Sequence, residues 1–297
     1  MGLRVAVTGR AGQVVSAMLE RAPRDIAVMP LGRPELDLSA SETIAPAICA
    51  SRPDVIVNAA AYTAVDQAES EPEAAMRING TAAGTVAETA AALAIPVIQL
   101  STDYVFDGGL ARPYREDDAT GSLSAYGASK LAGERAVAAA TANHTILRTA
   151  WVYAPFGRNF VRTMLRLAET RDEVGVVADQ HGAPTSALDI ADAIFAVARN
   201  LTGRPDEACL RGVFHMSAAG ATVWADVAEA IFAARERQGG RHVRVRRIAT
   251  SDYPTPARRP ANSRLDCGKL ARLHGVALPE WQGSLRACVE RLLEDRE

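Results

Sequence analysis

The feature that most limits the possible folds is the opening stretch. Leu3 to Thr8 (LRVAVT) is a short β-branched apolar run that stops at Gly9, and a helical pattern follows over Gln13 to Arg21. Strand, glycine turn and helix in that order open a dinucleotide-binding unit. In the turn Gly9-Arg10-Ala11-Gly12-Gln13-Val14-Val15, the two glycines permit a tight bend. They also let backbone amides approach a pyrophosphate at the helix N-terminus, where the dipole favours an anion. An ordinary βα turn would use the same residues, so the turn alone does not decide. The third glycine position of the motif holds Val15, whose bulk is expected to hold the helix slightly off the sheet.

The alternation continues. Ile26 to Leu31 reads as a second strand ending at Gly32-Arg33, where a fold of this type reads the adenosine ribose. An acid there bonds the 2′-hydroxyl, whereas an arginine accommodates a 2′-phosphate. Arg33 holds that place and Arg10 lies in the phosphate turn, which points to NADPH, with NADH also used; both arginines also fit solvated surface charges. A helix is expected over Ser41 to Ala50 with Ser39 or Ser41 as its N-cap. Asp54 to Ala61 (DVIVNAAA) is a buried strand with a tail of small residues. Such a tail lets a ring or a ribose pass close to the backbone, or simply lets strand and helix pack tightly.

Tyr62 to Glu69 reads as a loop, Glu73 to Leu93 as a long Ala-rich helix carrying Asn79, and Ile95 to Leu100 as a strand. That strand delivers Ser101-Thr102-Asp103-Tyr104-Val105-Phe106-Asp107-Gly108 at its C-terminal end, the edge at which open α/β sheets bind ligands. With Thr145 to Tyr153 as a further strand, the economical architecture is α/β, a doubly wound parallel (Rossmann) sheet. Beyond it the pattern loosens: helices over Asn159 to Glu169, Thr185 to Arg199 and Val223 to Arg237, a short strand over Val174 to Ala178, and one more sheet strand over Gly212 to Ser217, with a second, smaller α/β substrate domain. We expect a dinucleotide domain of residues 1–152 plus about 184–218, and a substrate domain of about 153–183 plus 219–297.

The chemistry concentrates at Tyr126-Gly127-Ala128-Ser129-Lys130, at the head of a helical run from Leu131 to Ala142. Residues four apart share a helix face, so phenol and ammonium can point into one cleft. An adjacent cation is expected to lower the pKa of the phenol. A surface Tyr/Lys pair would look the same in isolation. Pro254, Pro256 and Pro260 punctuate a loop leading into Arg258-Arg259-Pro260-Ala261-Asn262-Ser263-Arg264, which fits either a diphosphate clamp or an exposed linker.

Composition closes off other classes. A net charge of −2 argues against nucleic acid or a membrane surface as partner. The four cysteines, Cys49, Cys209, Cys267 and Cys288, form no Cys/His cluster; they read as reduced thiols of a cytoplasmic protein, and ligand spacing suggests no metal.

The TGRAGQ turn, the STDYVFDG strand end and YGASK occur together with NAAAYTAVDQAE, RTAWVY, DQHGAPT and YPTPARRPANSRLD, over essentially all 297 residues. In that order they resemble the extended short-chain dehydrogenase/reductases, in the branch acting on nucleotide sugars. The resemblance implies an NAD(P)H-dependent oxidoreductase that reduces the C4 ketone of dTDP-4-dehydro-L-rhamnose to dTDP-L-rhamnose, a step of polysaccharide biosynthesis. It places the catalytic group on Thr102, Tyr126 and Lys130, and the cofactor on Gly9, Gly12, Gln13, Val14, Asp37, Leu38, Ala60 and Ala61, with Tyr126 and Lys130. The sugar nucleotide falls on Val65, Asp103, Tyr104 and Trp151, although a strand-end tryptophan also suits a core; Arg259 and Asn262 are proposed for its diphosphate. A homodimer is a further expectation. An NAD-retaining sugar-nucleotide epimerase and a non-catalytic regulatory subunit, similar to that of methionine adenosyltransferase, remain as alternatives on the same residues.

Overall fold

The computed structural model describes residues 2–295. Its first half alternates as the sequence predicts: β1 Leu3–Thr8, α1 Gln13–Arg21, β2 Ile26–Leu31, α2 Ile44–Ser51, β3 Val55–Asn58, α3 Val65–Ala68, α4 Pro72–Met76, α5 Ala82–Ala92, β4 Val97–Thr102, α6 Ala125–Ala140 and β5 His144–Thr149. The second half contains β6 Val152–Tyr153, α7 Phe160–Thr170, β7 Glu173–Val177, β8 His181–Gly182, β9 Thr185–Ser186, α8 Ala187–Gly203 and β10 Gly212–His215. It closes with β11 Thr222–Val223, α9 Trp224–Arg237, β12 Arg244–Ile248, α10 Gly268–His274 and α11 Trp281–Glu294.

Six strands form one parallel sheet in the order β10-β5-β4-β3-β1-β2. The order reverses at β1, which pairs with β2 on one side and β3 on the other, so the crevice for a ligand opens at the carboxyl ends of β1 and β3. These strands are β-branched and apolar because helices cover both faces. On one face α1 and α8 close over Val5, Val7, Val55, Val57 and Leu147; on the other, α2, α5 and α6 close over Ile56, Val97 and Ile146. A separate core gathers α7, α9, α11 and the paired strands β7 and β12, around Leu165, Val176, Ile231 and Leu285. Residues 219–295 are split between the two cores, because α10 turns back to the sheet and buries Leu270 there, whereas α11 buries Leu285 in the second core.

Several element boundaries differ from the sequence reading for local reasons. The Tyr/Lys motif lies inside α6, which starts at Ala125 with the Ser124 hydroxyl accepting the Gly127 N–H at 3.2 Å. Neither Ser39 nor Ser41 caps α2; a 3-10 turn over Ser41–Thr43 precedes it, and Thr43 Oγ1 donates to Ala40 O at 2.7 Å. The loop at Tyr62 to Glu69 contains the short helix α3. The long Ala-rich helix is broken by a π-helical turn, Arg77–Thr81, between α4 and α5. The strand through Trp151 is interrupted there, since Trp151 adopts φ +52° and separates β5 from β6. The sequence RVRRI of β12 escaped notice because its arginines mask the strand pattern. They pair instead with Glu173 across the strands and with Asp226 and Glu229 of α9.

Val15 is buried against Gly9, an added Cβ on Gly9 falling 3.4 Å from Val15 Cγ2; the isopropyl group itself fills the space between α1 and the sheet. Among the described residues no helix is long and apolar enough to cross a membrane.

Helix α6 meets the π turn through Gly133, where an added Cβ would sit 2.1 Å from Asn79 O. Replacing Gly133 by Ala therefore forces the backbones apart, and overpacking of this kind costs about 1–3 kcal/mol. Urea unfolding of Gly133→Ala should show that loss despite the better helix propensity of alanine.

Candidate active site

The site is assembled from strand tips. Thr8 at the end of β1 donates its hydroxyl to Asn58 Oδ1 at 2.7 Å, Asn58 Nδ2 donates to Gln99 Oε1 at 2.7 Å, and Gln99 Nε2 donates to Leu100 O at 2.8 Å. The Ala59 and Ala60 N–H groups both donate to Thr8 Oγ1 at 3.0 Å. This buried ladder ties the tips of β1, β3 and β4 and sets the path of the small-residue stretch Ala59 to Ala61.

Above it lies a cleft of about 330 Å³ lined by Gly9, Arg10, Arg33, Asp37, Leu38, Ala60 and Ala61 among others. Gly9 has φ +100°, a conformation that L side chains rarely adopt. No side chain caps α1 at Gly12 and no acid lies in its first turn, so the positive end of that helix is open to an anion. Five of the residues expected at the cofactor, Gly9, Asp37, Leu38, Ala60 and Ala61, thus share one cleft with Arg33, and the helix end carries Gly12, Gln13 and Val14 beside it. The amide oxygen of Gln13 accepts from Asn159 Nδ2 at 2.9 Å. Asp37 accepts from the Ser39 N–H and hydroxyl, and these bonds hold its carboxyl below the ordinary range. Arg33 is exposed at the rim, and Arg10 pairs with Glu35.

Thr102, Tyr126 and Lys130 come together where β4 ends against the first turns of α6. The Thr102 hydroxyl donates to Asp103 Oδ1 at 3.0 Å and accepts the Tyr104 N–H at 3.2 Å. Lys130 Nζ donates to Leu100 O at 2.7 Å. The lowered phenol expected beside a cation is not found: burial first, and then the Asp103 charge, push Tyr126 well up, against the Thr102 hydrogen bond. Burial pushes Lys130 down to about 8, and Glu134 opposes it. Burial pushes Asp103 up to about 6, against hydrogen bonds from Ser263 and Thr102. Its Oδ2 is buried and has no protein partner. The arrangement is a phenol that keeps its proton at neutral pH, a hydroxyl at the strand end beside it, and a buried carboxyl oxygen without a protein partner.

Tyr104 lies edge-on to Tyr126, with ring centroids 5.7 Å apart. Beyond it, Arg259 Nη2 donates to Asp66 Oδ2 at 2.8 Å, and Asp66 follows Val65 at the start of α3. Val65, Tyr104 and Arg259 are therefore brought to one side of the site. Trp151 stacks on Trp224 at 3.8 Å between centroids and 15° between planes, joining the second core while staying half-buried. Asn262 is placed differently from expectation. Its Nδ2 donates to Leu110 O and Arg112 O, and its Oδ1 accepts from Arg264 N and Nε. With both donors and its oxygen engaged, the amide pins the proline-rich loop and has nothing left for a diphosphate. Among the described residues no group of three or more His, Cys, Asp or Glu side chains could hold a metal ion.

The family model described as RmlD substrate binding domain matches residues 3–294. A dTDP-4-dehydrorhamnose reductase of Sinorhizobium fredii is 52% identical over 291 residues, covering 98% of both chains. The chain belongs to the dTDP-4-dehydrorhamnose reductase family. A reductase of the same name from Burkholderia thailandensis is 46% identical, covering 98% of this chain and 99% of that protein. Among solved structures, the Clostridium acetobutylicum reductase superposes with a TM-score of 0.89 at 34% identity, covering 98% of this chain and 100% of that one. The Bacillus anthracis reductase, solved in complex with NADP, gives 0.88 at 33% identity, covering 99% and 100%.

Two further residues of this reductase site were not singled out by motif. Asn79, in the π turn, accepts the Tyr62 N–H at 2.8 Å and donates to Tyr62 O at 3.1 Å and Ser129 Oγ at 2.9 Å, which fastens the loop after β3 to α6. Glu134 accepts from Ser101 and Arg148 beneath Lys130. One signal for the site was present in the composition. The chain has two lysines, Lys130 and Lys269, against 31 arginines, so a lysine here marks a place where a compact ammonium is needed.

Arg259 is partly exposed and lies with its Nη1 3.5 Å from the Tyr104 hydroxyl. An Arg259→Ala protein should bind dTDP at least tenfold more weakly by calorimetric titration, in line with about 1.5–3 kcal/mol for a charge-assisted hydrogen bond.

Proposed function

We propose that this chain reduces the C4 ketone of dTDP-4-dehydro-L-rhamnose to dTDP-L-rhamnose with NADPH, and also with NADH. The observation that carries the reading is the convergence of the Thr102 hydroxyl and the half-buried Tyr126 phenol at the end of β4, with the buried Lys130 one turn along α6. The names of the relatives supply the substrate class, and the NADP complex of the Bacillus anthracis reductase supports the cofactor.

The cleft fits such a cofactor. The uncapped end of α1 and the Gly9 turn suit its pyrophosphate, Ala60 and Ala61 leave space above the sheet, and Arg33 at the rim suits a 2′-phosphate beside Asp37. When bound, NAD(P)H supplies the hydride that C4 receives. Tyr126 donates its proton to the ketone oxygen; its raised pKa keeps that proton in place until charge develops on the oxygen. Thr102 orients the same oxygen. Lys130, charged and one helical turn away, stabilises the tyrosinate that proton transfer leaves behind and offers its other protons to the nicotinamide ribose. Asp103 Oδ2 accepts from a sugar hydroxyl, while Val65 and Tyr104 flank the sugar. Trp151 and Trp224 bound the same side with an apolar stack.

The test is NADPH absorbance with dTDP-4-dehydro-L-rhamnose. Stoichiometric loss of absorbance supports a reductase, and product formed with no net consumption would make the protein an epimerase. General acid catalysis contributes typically ~10²–10⁴-fold, so Tyr126→Phe should lower kcat by about that factor and leave NADPH affinity close to the parent value. A Phe variant turning over at the parent rate would remove Tyr126 as the acid.

A further inference from the structure

Beneath the site lies a buried ion pair that the reaction, as described, does not use. The Glu134 carboxylate and the Arg148 guanidinium are each 5% exposed, with Arg148 Nη2 2.7 Å from Oε2 and Nε 2.9 Å from Oε1. The Ser101 hydroxyl donates to the same Oε1. A buried pair of this kind adds little to stability, because desolvating both ions consumes most of the attraction between them, and apolar residues of similar volume serve packing as well or better. Its position suggests another use. Glu134 is four residues after Lys130, hence on the same face of α6. Ser101 sits between Leu100, whose carbonyl receives Lys130 Nζ, and Thr102; Arg148 is the register partner of Ser101 on β5. The carboxylate is thereby fastened to both strands at the point where they present their functional groups to the helix.

We propose that Glu134 is a positioning residue for Lys130: held by Ser101 and Arg148, its carboxylate keeps the buried ammonium charged and turned toward the floor of the cleft. The inference rests on the reading of Lys130 given above, and it assigns the ion pair an electrostatic task. Burial draws Lys130 down to about 8, and Glu134 is the charge that opposes this. The other ionisable groups packed around α6 are committed elsewhere. Arg148 is bound to Glu134, and Asp103 and Tyr104 act on Tyr126. Glu69 accepts from Ala125 N at the start of the helix, Asp66 is paired with Arg259, and Glu73, Arg77 and Glu88 are exposed.

The scarcity of lysine makes the test direct, since ¹³C-lysine labelling of the full chain gives two side-chain signals and Lys269→Arg identifies which is Lys130. In the free protein, Glu134→Gln should lower the Lys130 titration midpoint by about one unit, the scale expected for a carboxylate one helical turn away in a protein medium. Arg148→Met, which leaves the carboxylate without its guanidinium, should raise it. It also provides a measurement of opposite sign should Glu134→Gln fail to fold. With dTDP-4-dehydro-L-rhamnose and NADPH, the alkaline limb of kcat/KM should move down with the midpoint in Glu134→Gln. A midpoint unchanged in the folded variants would overturn the inference. So would a midpoint that moves while the alkaline limb stays. Because the titration uses no substrate, a parent protein that reduces no such ketone would defeat the functional reading and leave the titration to stand by itself.

Discussion

The approach of α6 to its surroundings is the constraint on which the site depends. At Gly127 an added Cβ would lie 2.1 Å from Tyr104 O, and at Gly133 it would lie the same 2.1 Å from Asn79 O. Two contacts on one helix, a turn and a half apart, leave no freedom in its depth or its rotation. The phenol of Tyr126, next to the first contact, and the ammonium of Lys130, between the two, are therefore presented to the end of β4 at a fixed height. Asn79 then secures the loop after β3 to the same helix through Ser129. The π turn that brings Asn79 into place is a local departure of the sort that accompanies function more often than mere packing.

Much of this was legible in the sequence because the sheet obeys simple periodic rules. β1, β2, β4 and β10 are apolar runs bounded by turn residues, and the helices between them carry the Ala-rich composition that favours helix. The motif residues Thr102, Tyr126 and Lys130 could be placed because each sits at a strand end or a helix start, where position along the chain implies position in space. What escaped notice depends on distant pairing. β12 is a strand only because Glu173, Asp226 and Glu229 neutralise its arginines. Asn262 resembles a ligand-binding amide in sequence, but its four hydrogen bonds run to backbone and to Arg264 within its own loop region. The sign of the Tyr126 shift was also hidden, since it is set by burial and by the Asp103 charge, both properties of the folded surroundings.

The electrostatics follow from burial. Asp103 and Lys130 are buried and Tyr126 is half-buried, and each is shifted toward its uncharged form. The shift brings Asp103 and Lys130 closer to neutrality, where a proton can be exchanged, while Tyr126 holds its proton more tightly. The family membership and the geometry thus meet at one place, the carboxyl end of β4 against α6.

The side-chain ladder Thr8–Asn58–Gln99 carries a consequence for ligand capture. Three neighbouring strand tips are cross-braced by hydroxyl and amide groups whose polar atoms are already satisfied, so the floor beneath Ala59 to Ala61 is rigid before anything binds. A dinucleotide landing there meets a surface already set, and the entropic penalty of association falls on the exposed rim at Arg10 and Arg33 instead.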